Sequence, residues 1–357
     1  MRAPTKSMSY EYLNTRVRLM LARLLTPAQF HALLELRSLQ ELTNALAETD
    51  YAPELQRTVV EFSGYELIEQ TVLRNAQRAF SKLVSIAPEG PKLLIELLLE
   101  RFEVFNLKTI LRGYHARLSP AETARGLFPS LLYPMAFYDE LLKRTGVREA
   151  LDYLLSVGHR YYKPLAEVFP EYERTGKLAL LEHSVDAFYF AHSRGVLDEL
   201  RDENAQIVRT VLGTEVDLLN LIYALRLVEA GVRAEERYRY ILDGGEHLSK
   251  NLVRHLLDSE DKSALLKKLE RTDYHRALKA LNENASVAQI QEHLENYLYR
   301  EHSRLDKQDF FNIRMTIAYL WRKRAEMTNL RVIAMGLARR TARAQIEANL
   351  IPLEVFK

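Results

Sequence analysis

The feature that most constrains this chain is that it repeats itself. The shift that carries Leu25 onto Leu248 aligns two long segments without a gap. Leu25, Leu33, Leu34, Leu42, Leu46, Thr49, Asp50, Tyr51 and Leu55 meet Leu248, Leu256, Leu257, Leu265, Leu269, Thr272, Asp273, Tyr274 and Leu278. Further on, Arg101, Glu103, Asn106, Leu107, Ile110 and Gly113 meet Arg324, Glu326, Asn329, Leu330, Ile333 and Gly336. The register holds from position 25 to 129, so the two ends of the chain build the same local structure. A middle copy is more degraded. It keeps Asp217-x-x-Asn220-Leu221 and a corner reduced to His159-Arg160-Tyr161, with Leu165 four residues after the tyrosine. These copies divide the chain into helical repeats over 1–130, 131–244 and 245–357.

Each copy reads as helices, so the expected fold class is all-α. Only 13 glycines and 11 prolines interrupt 357 residues, well below the usual combined share of about 12%. Leu13, Val17, Met20, Leu21 and Leu24 recur at helical spacing as one apolar stripe. Ser38-Leu39-Gln40-Glu41 has the form of a capping box. Gly90-Pro91 opens a long helix, with Gly113 as its expected C-terminal stop. Pro129, Pro352 and the Asp243-Gly244-Gly245 turn all fall at the same distance beyond the repeated asparagine. No stretch approaches the roughly 18 apolar residues that span a bilayer. The richest, Leu93 to Leu99, breaks at Glu96, and the N-terminus does not lead into a signal core. A soluble chain that stays in the compartment where it is made is expected.

Composition narrows the functions. Fifty Lys and Arg against 48 Asp and Glu leave a net charge of +2, which gives no electrostatic case for a nucleic-acid binder. Without cysteine there are no disulfides, thiolate metal sites or cysteine nucleophiles. His247 and His255, with Glu246 and Asp258 nearby, make only a loose metal face, and the tight zinc and di-iron spacings are missing. No nucleophile elbow, P-loop or dinucleotide turn occurs, so neither catalysis nor a cofactor is expected.

The repeated acid-x-x-Asn places Glu103 with Asn106, Asp217 with Asn220 and Glu326 with Asn329 on one helix face. Asparagine inside a helix costs a few tenths of a kcal/mol relative to alanine. Three equivalent occurrences therefore point to an inter-helix hydrogen bond that fixes packing, with a ligand or metal site as the alternative. Thr49 with Tyr51, and Thr272 with Tyr274, read as structural corners: threonine turns the chain and tyrosine packs a ring with a polar tip. A basic run carries Arg322, Lys323, Arg324, Arg331, Arg339, Arg340 and Arg343 against the single acid Glu326. Most such runs are solvated faces. Part of this run, however, shares the motif helices with Lys108, Arg112 and Arg226. A pseudo-threefold chain would thereby present Lys108, Arg112, Arg226, Arg322, Lys323 and Arg331 as a basic lining for an acidic partner.

Tyr12-Leu13-Asn14-Thr15-Arg16-Val17-Arg18 followed by Leu24-Leu25 resembles the opening of the C subunit of archaeal and bacterial V-type (A/V-type) ATPases, the counterpart of eukaryotic subunit d. Leu46-x-x-Thr49-x-Tyr51-x-x-x-Leu55 is similar to that family's first corner, and Glu103-x-x-Asn106-Leu107-Lys108-Thr109-Ile110-Leu111-Arg112-Gly113 to its signature helix. Glu215-Val216-Asp217-x-x-Asn220-Leu221 and Glu326-x-x-Asn329-Leu330-Arg331-x-Ile333 resemble the second and third copies, so the likeness runs from about Tyr10 to Pro352. Two positions depart from the pattern: His159 stands where a threonine is expected, and Ile222 where the outer copies have Lys108 and Arg331.

The resemblance implies three similar helical units in a pseudo-threefold funnel. It implies a non-catalytic rotor adaptor, present as a single copy on the cytoplasmic face of the membrane. Its partners would be the cytoplasmic loops of the membrane rotor ring and the foot of the central stalk, between which it passes torque for ATP-coupled ion transport. A free-standing helical-repeat scaffold is the main alternative, and an all-helical enzyme using scattered acids a distant third.

Overall fold

The computed structural model describes residues 6–279, 281, 285–307 and 310–357. The described residues form helices and connecting turns, with no strand among them. Eight helices carry the architecture: α1 (Lys6–Leu21), α2 (Leu39–Leu46), α3 (Gly64–Ile86), α4 (Glu89–His115), α5 (Leu178–Leu200), α6 (Glu203–Glu229), α7 (Val287–Ser303) and α8 (Arg314–Ala338). The chain divides into two compact units. One is Met1–Ile95 with Asn296–Lys357, and the other is Glu96–Glu295. These cuts fall inside α4 and α7, whereas the sequence periods break in the turns near residues 130 and 244.

In the first unit α8 packs on α1, α2 and α3. Leu13 and Val17 of the N-terminal stripe are fully buried, as are Leu42 and Leu46 of α2. Asn14 is fully buried too, and its Nδ2 donates to the carbonyls of Phe310 (2.5 Å) and Asn312 (2.8 Å). In the second unit α5 packs on α6. Its core includes Tyr138, Tyr161, Leu181, Val185 and Leu221, each fully shielded from solvent.

The motif helices α4, α6 and α8 end alike. Eleven residues after each repeated asparagine, Arg117 (φ 54°), Gly231 (φ 64°) and Arg340 (φ 55°) take the left-handed conformation that closes a helix. The next amide then bonds back: Leu118 to the Gly113 carbonyl, Val232 to Leu227 and Thr341 to Gly336. Gly113 is therefore not the stop, since α4 runs on to His115. Gly113 is glycine because a Cβ there would lie 2.4 Å from Thr123 Oγ1, and Gly336 because it would lie 2.4 Å from Ile346 Cδ1. The capping box at Ser38 is half formed. Ser38 accepts the Glu41 amide, but the Glu41 carboxylate takes the Arg37 amide and not that of Ser38.

Each repeated asparagine grips one peptide group at the same distance along the chain. Asn106 donates to the Phe128 carbonyl (2.8 Å) and accepts the Phe128 amide (2.8 Å). Asn220 does the same to Leu242 (2.9 and 2.8 Å), and Asn329 to Ile351 (2.9 and 2.8 Å). The expected inter-helix bond is thus corrected: the partner is the backbone of an irregular segment, whose peptide finds in the amide side chain the donor and acceptor that a helix or sheet would otherwise supply. All three asparagines are buried, so removing one leaves a peptide amide and carbonyl without partners.

Replacing Asn220 by leucine should lower stability by roughly 2–5 kcal/mol, read as a shift in the chemical-unfolding midpoint at unchanged helical content. An unshifted midpoint would remove the clip from the account of stability. A second expectation concerns His183, which packs edge-on against Tyr223 and Tyr240. Burial, only partly opposed by Asp186, lowers its pKa to about 4. Between about pH 6.5 and 4 the unfolded chain binds a proton that the folded chain refuses, so this group makes stability rise with pH across that window. His183→Phe should flatten that rise by on the order of 2–3 kcal/mol in unfolding titrations at pH 4 and pH 7. An equally steep variant would assign the slope to other groups.

Candidate functional site

The acids of the motif helices meet the corner tyrosines, each across a copy boundary in the sequence. Glu326 of the third copy accepts the Tyr51 hydroxyl of the first at 2.7 Å, and its other oxygen accepts the Leu25 amide at 2.6 Å. Asp217 of the second copy accepts the Tyr274 hydroxyl of the third at 2.9 Å, along with the amides of His247 (2.7 Å) and Leu248 (3.2 Å). Gly245 makes that approach possible, because a Cβ there would sit 2.0 Å from Asp217 Oδ1. In the first copy the role is shared. Glu103 accepts Tyr138 and Ser130, while Glu100, one turn earlier, accepts the Tyr161 hydroxyl at 2.9 Å. Each motif helix thus bonds the copy that follows it, and the third bonds the first.

Burial and the neighbouring carboxylates hold the phenols of Tyr51 and Tyr161 well above their ordinary pKa, so both remain donors. Burial also raises the pKa of Asp217, against the pull of the amides and hydroxyl that bond it. The threonines act locally. Thr49 Oγ1 donates to the Leu46 carbonyl (2.7 Å) and accepts the Tyr51 amide (3.3 Å), and Thr272 Oγ1 donates to Leu269 (2.7 Å). His159 replaces threonine without loss of this turn, since its Nδ1 accepts the Tyr161 amide at 3.3 Å. Its Nε2 faces Glu103 Oε1 at 3.4 Å, and the ring stacks on Phe137.

The corners differ in charge at one position. The shift that aligns the outer copies superposes Glu100 on Lys323. Lys323, only 3% exposed, donates to Glu326 Oε1 (2.6 Å), Asn75 Oδ1 (2.6 Å) and the Tyr51 hydroxyl (3.1 Å). A lysine buried this deeply is tolerated because all three of its donors are matched. Glu100, Asn75 and Tyr138 did not stand out as site residues in the sequence. The alignment of the outer copies, read for differences as well as identities, would have flagged Glu100.

The basic residues proposed to face a partner are mostly held within their own unit. Lys108 pairs with Asp186 (2.6 Å), Arg112 with Glu182, Arg331 with Glu69 (2.7 Å) and Arg322 with Asp306 (2.9 Å). Arg226 is exposed and donates to Gln291 Oε1 at 2.6 Å. Arg226 lies six residues after its asparagine, as Arg112 does, and Ile222 is buried in the place of Lys108 and Arg331. His247 lies 3.4 Å from Asp273. Among the described residues no cluster of three or more His, Asp or Glu side chains has the geometry to hold a metal ion. Nor is any helix among them long and apolar enough to cross a membrane. Chemically, the arrangement can lock helices to one another.

The chain is 30% identical over 331 residues to the C subunit of the A-type ATP synthase of Methanothermobacter thermautotrophicus, covering 91% of this chain and 83% of that protein. It is 26% identical over 334 residues to the C subunit of the A-type ATP synthase of Methanosphaera stadtmanae, with the same coverage of 91% and 83%. It is 27% identical over 336 residues to that of Methanococcoides burtonii, covering 93% and 91%. The profile of the ATP synthase (C/AC39) subunit family matches residues 13–349, a span that takes in all three repeated asparagines and every corner tyrosine. With a match over nearly its whole length, the chain belongs to the ATP synthase (C/AC39) subunit family.

Proposed function

We propose that this chain is the rotor adaptor of an A/V-type ATPase, a mechanical coupling between the central stalk and the membrane rotor ring. Family membership makes it an accessory subunit of such a complex and sets aside the free-standing scaffold. The finer reading is three similar helical units about a pseudo-threefold axis, in single copy on the cytoplasmic face, with the stalk foot received at the centre. One observation carries it: the acid–tyrosine pairs run from each copy to the next and from the third back to the first. A closed order of this kind is what a torque-bearing plug requires. Load applied at any one copy passes into two others through buried hydrogen bonds, without a free end to unwind. Stiffness is the functional quantity here, and no active site is needed for it.

Of the six basic candidates, Arg112 and Arg226 are proposed to face the stalk. They occupy equivalent places in two copies and are the more exposed: the Arg112 side chain is 48% exposed, against 14% for Lys108 and 16% for Arg331.

Removing the protein from membranes should abolish ATP-driven ion pumping while ATP hydrolysis by the detached head persists. Pumping that survives removal would overturn the adaptor role. Reversing Arg112 and Arg226 together to glutamate should weaken capture of the purified central stalk by roughly tenfold at low salt and by less at high salt. Unchanged capture at both salt concentrations would move the stalk contact to another surface.

A further inference from the structure

The first unit encloses an open cavity of about 280 Å³ that the adaptor reading does not use. Four cations, Arg23, Arg78, Lys82 and Lys323, line it against one carboxylate, Asp50. Two of the four are committed. Arg78 bonds Asp50 (2.9 Å) and Glu54 (2.6 Å), and the three donors of Lys323 are matched as described above. Two are not. The guanidinium of Arg23 lies 3.6 Å from Asp50, beyond hydrogen-bond distance, and its side chain is 64% exposed. Lys82 is exposed and makes no ion pair among the described residues.

Tyr319 completes the lining. It is 2% exposed, and its hydroxyl makes no hydrogen bond among the described residues. The hydroxyl oxygen itself is not shielded from solvent, so it is open to an acceptor that enters the cavity. Burial, with Glu326 beside it, holds that phenol protonated far above the usual tyrosine range, so it keeps a proton to donate. Neutralising the local acids does not account for the set. Asp50, Glu54 and Glu326 are already bonded by Arg78 and Lys323, so Arg23 adds only a looser ion pair to Asp50, while Lys82 and the Tyr319 hydroxyl have no such partner among the described residues.

We propose that this cavity binds a phosphate group, with Arg23, Lys82 and Tyr319 as its donors. A guanidinium fork, an ammonium and a phenol are donors suited to the several oxygens of a tetrahedral dianion. The buried Lys323 and the paired Arg78 add positive potential behind them. Met20, Leu24 and Ala79 supply the apolar remainder of the wall.

Calorimetric titration of the full-length protein with inorganic phosphate at constant ionic strength tests this. Saturable one-site binding is expected, at least tenfold tighter than binding of acetate. Arg23→Gln and Lys82→Gln should each weaken it about fivefold or more, and Tyr319→Phe about threefold, a change that keeps the packed ring. Arg148→Gln, an exposed arginine of the other unit, should leave it unchanged. A parallel titration with glycerol phosphate separates two sources of the group. Equal affinity assigns the cavity to a phosphate ester and weaker affinity to the free ion, and either upholds the site. A response that never saturates, acetate binding as tightly as phosphate, or affinity indifferent to all three cavity variants would overturn it. Melting temperatures of the variants exclude unfolding as the cause of any loss.

Discussion

The structure rests on a side chain imitating a backbone. A helix interior has no spare peptide donors or acceptors for the chain that leaves it, so an irregular segment crossing its surface would bury polar groups without partners. Asn106, Asn220 and Asn329 solve this alike, each offering one amide to the peptide of Phe128, Leu242 or Ile351 downstream. The two bonds of each clip fix both the position and the direction of the returning segment. Beyond the first two clips the chain, including the next corner tyrosine, then starts from a defined place. An asparagine that is mildly unfavourable for its own helix is retained because the fold beyond it depends on that one contact.

On this frame the three copies keep geometry and vary chemistry. The corner tyrosine always reaches a carboxylate of the preceding motif helix. Yet that helix carries Glu100 at one copy, Thr214 at the second and Lys323 at the third in the corresponding place. Each corner is satisfied differently: by a second carboxylate with Tyr138 and His159, by backbone amides around Asp217, and by a buried lysine. A mismatched corner would therefore leave an unpaired buried charge, which is costly. The differences make the corners of these similar segments chemically non-interchangeable.

Much of this was legible in the residues. Aligning the chain with itself exposed the repeat, and the recurrence of a poor helix former showed that Asn106, Asn220 and Asn329 had work beyond their own helix. Which groups the asparagines bond was not legible, because a partner so far along the chain depends on the path of an irregular segment. Gly113 looked like a helix stop since glycine favours left-handed ends. Here that conformation falls on Arg117, and the glycine answers to Thr123 pressing on the helix flank. The basic stretch also misled in part. Charge counted along the sequence could not reveal Glu69, Asp186 and Asp306, which arrive from other parts of the chain and neutralise Arg331, Lys108 and Arg322.

The pairing of first and last copies has a consequence for biosynthesis. The unit built from Met1–Ile95 is finished only by Asn296–Lys357, which supplies α8 and with it Lys323 and Glu326. On the ribosome, the leading segment emerges long before that helix exists, with Tyr51 lacking its acceptor and the apolar side of α3 uncovered. The segment Glu96–Glu295, contiguous in the chain, can assemble meanwhile. Vectorial synthesis thus reverses the usual order, in which the leading part folds first. The nascent N-terminus waits uncovered until the closing segment arrives, and a polypeptide truncated before α8 would lose not a tail but the helix on which its beginning packs.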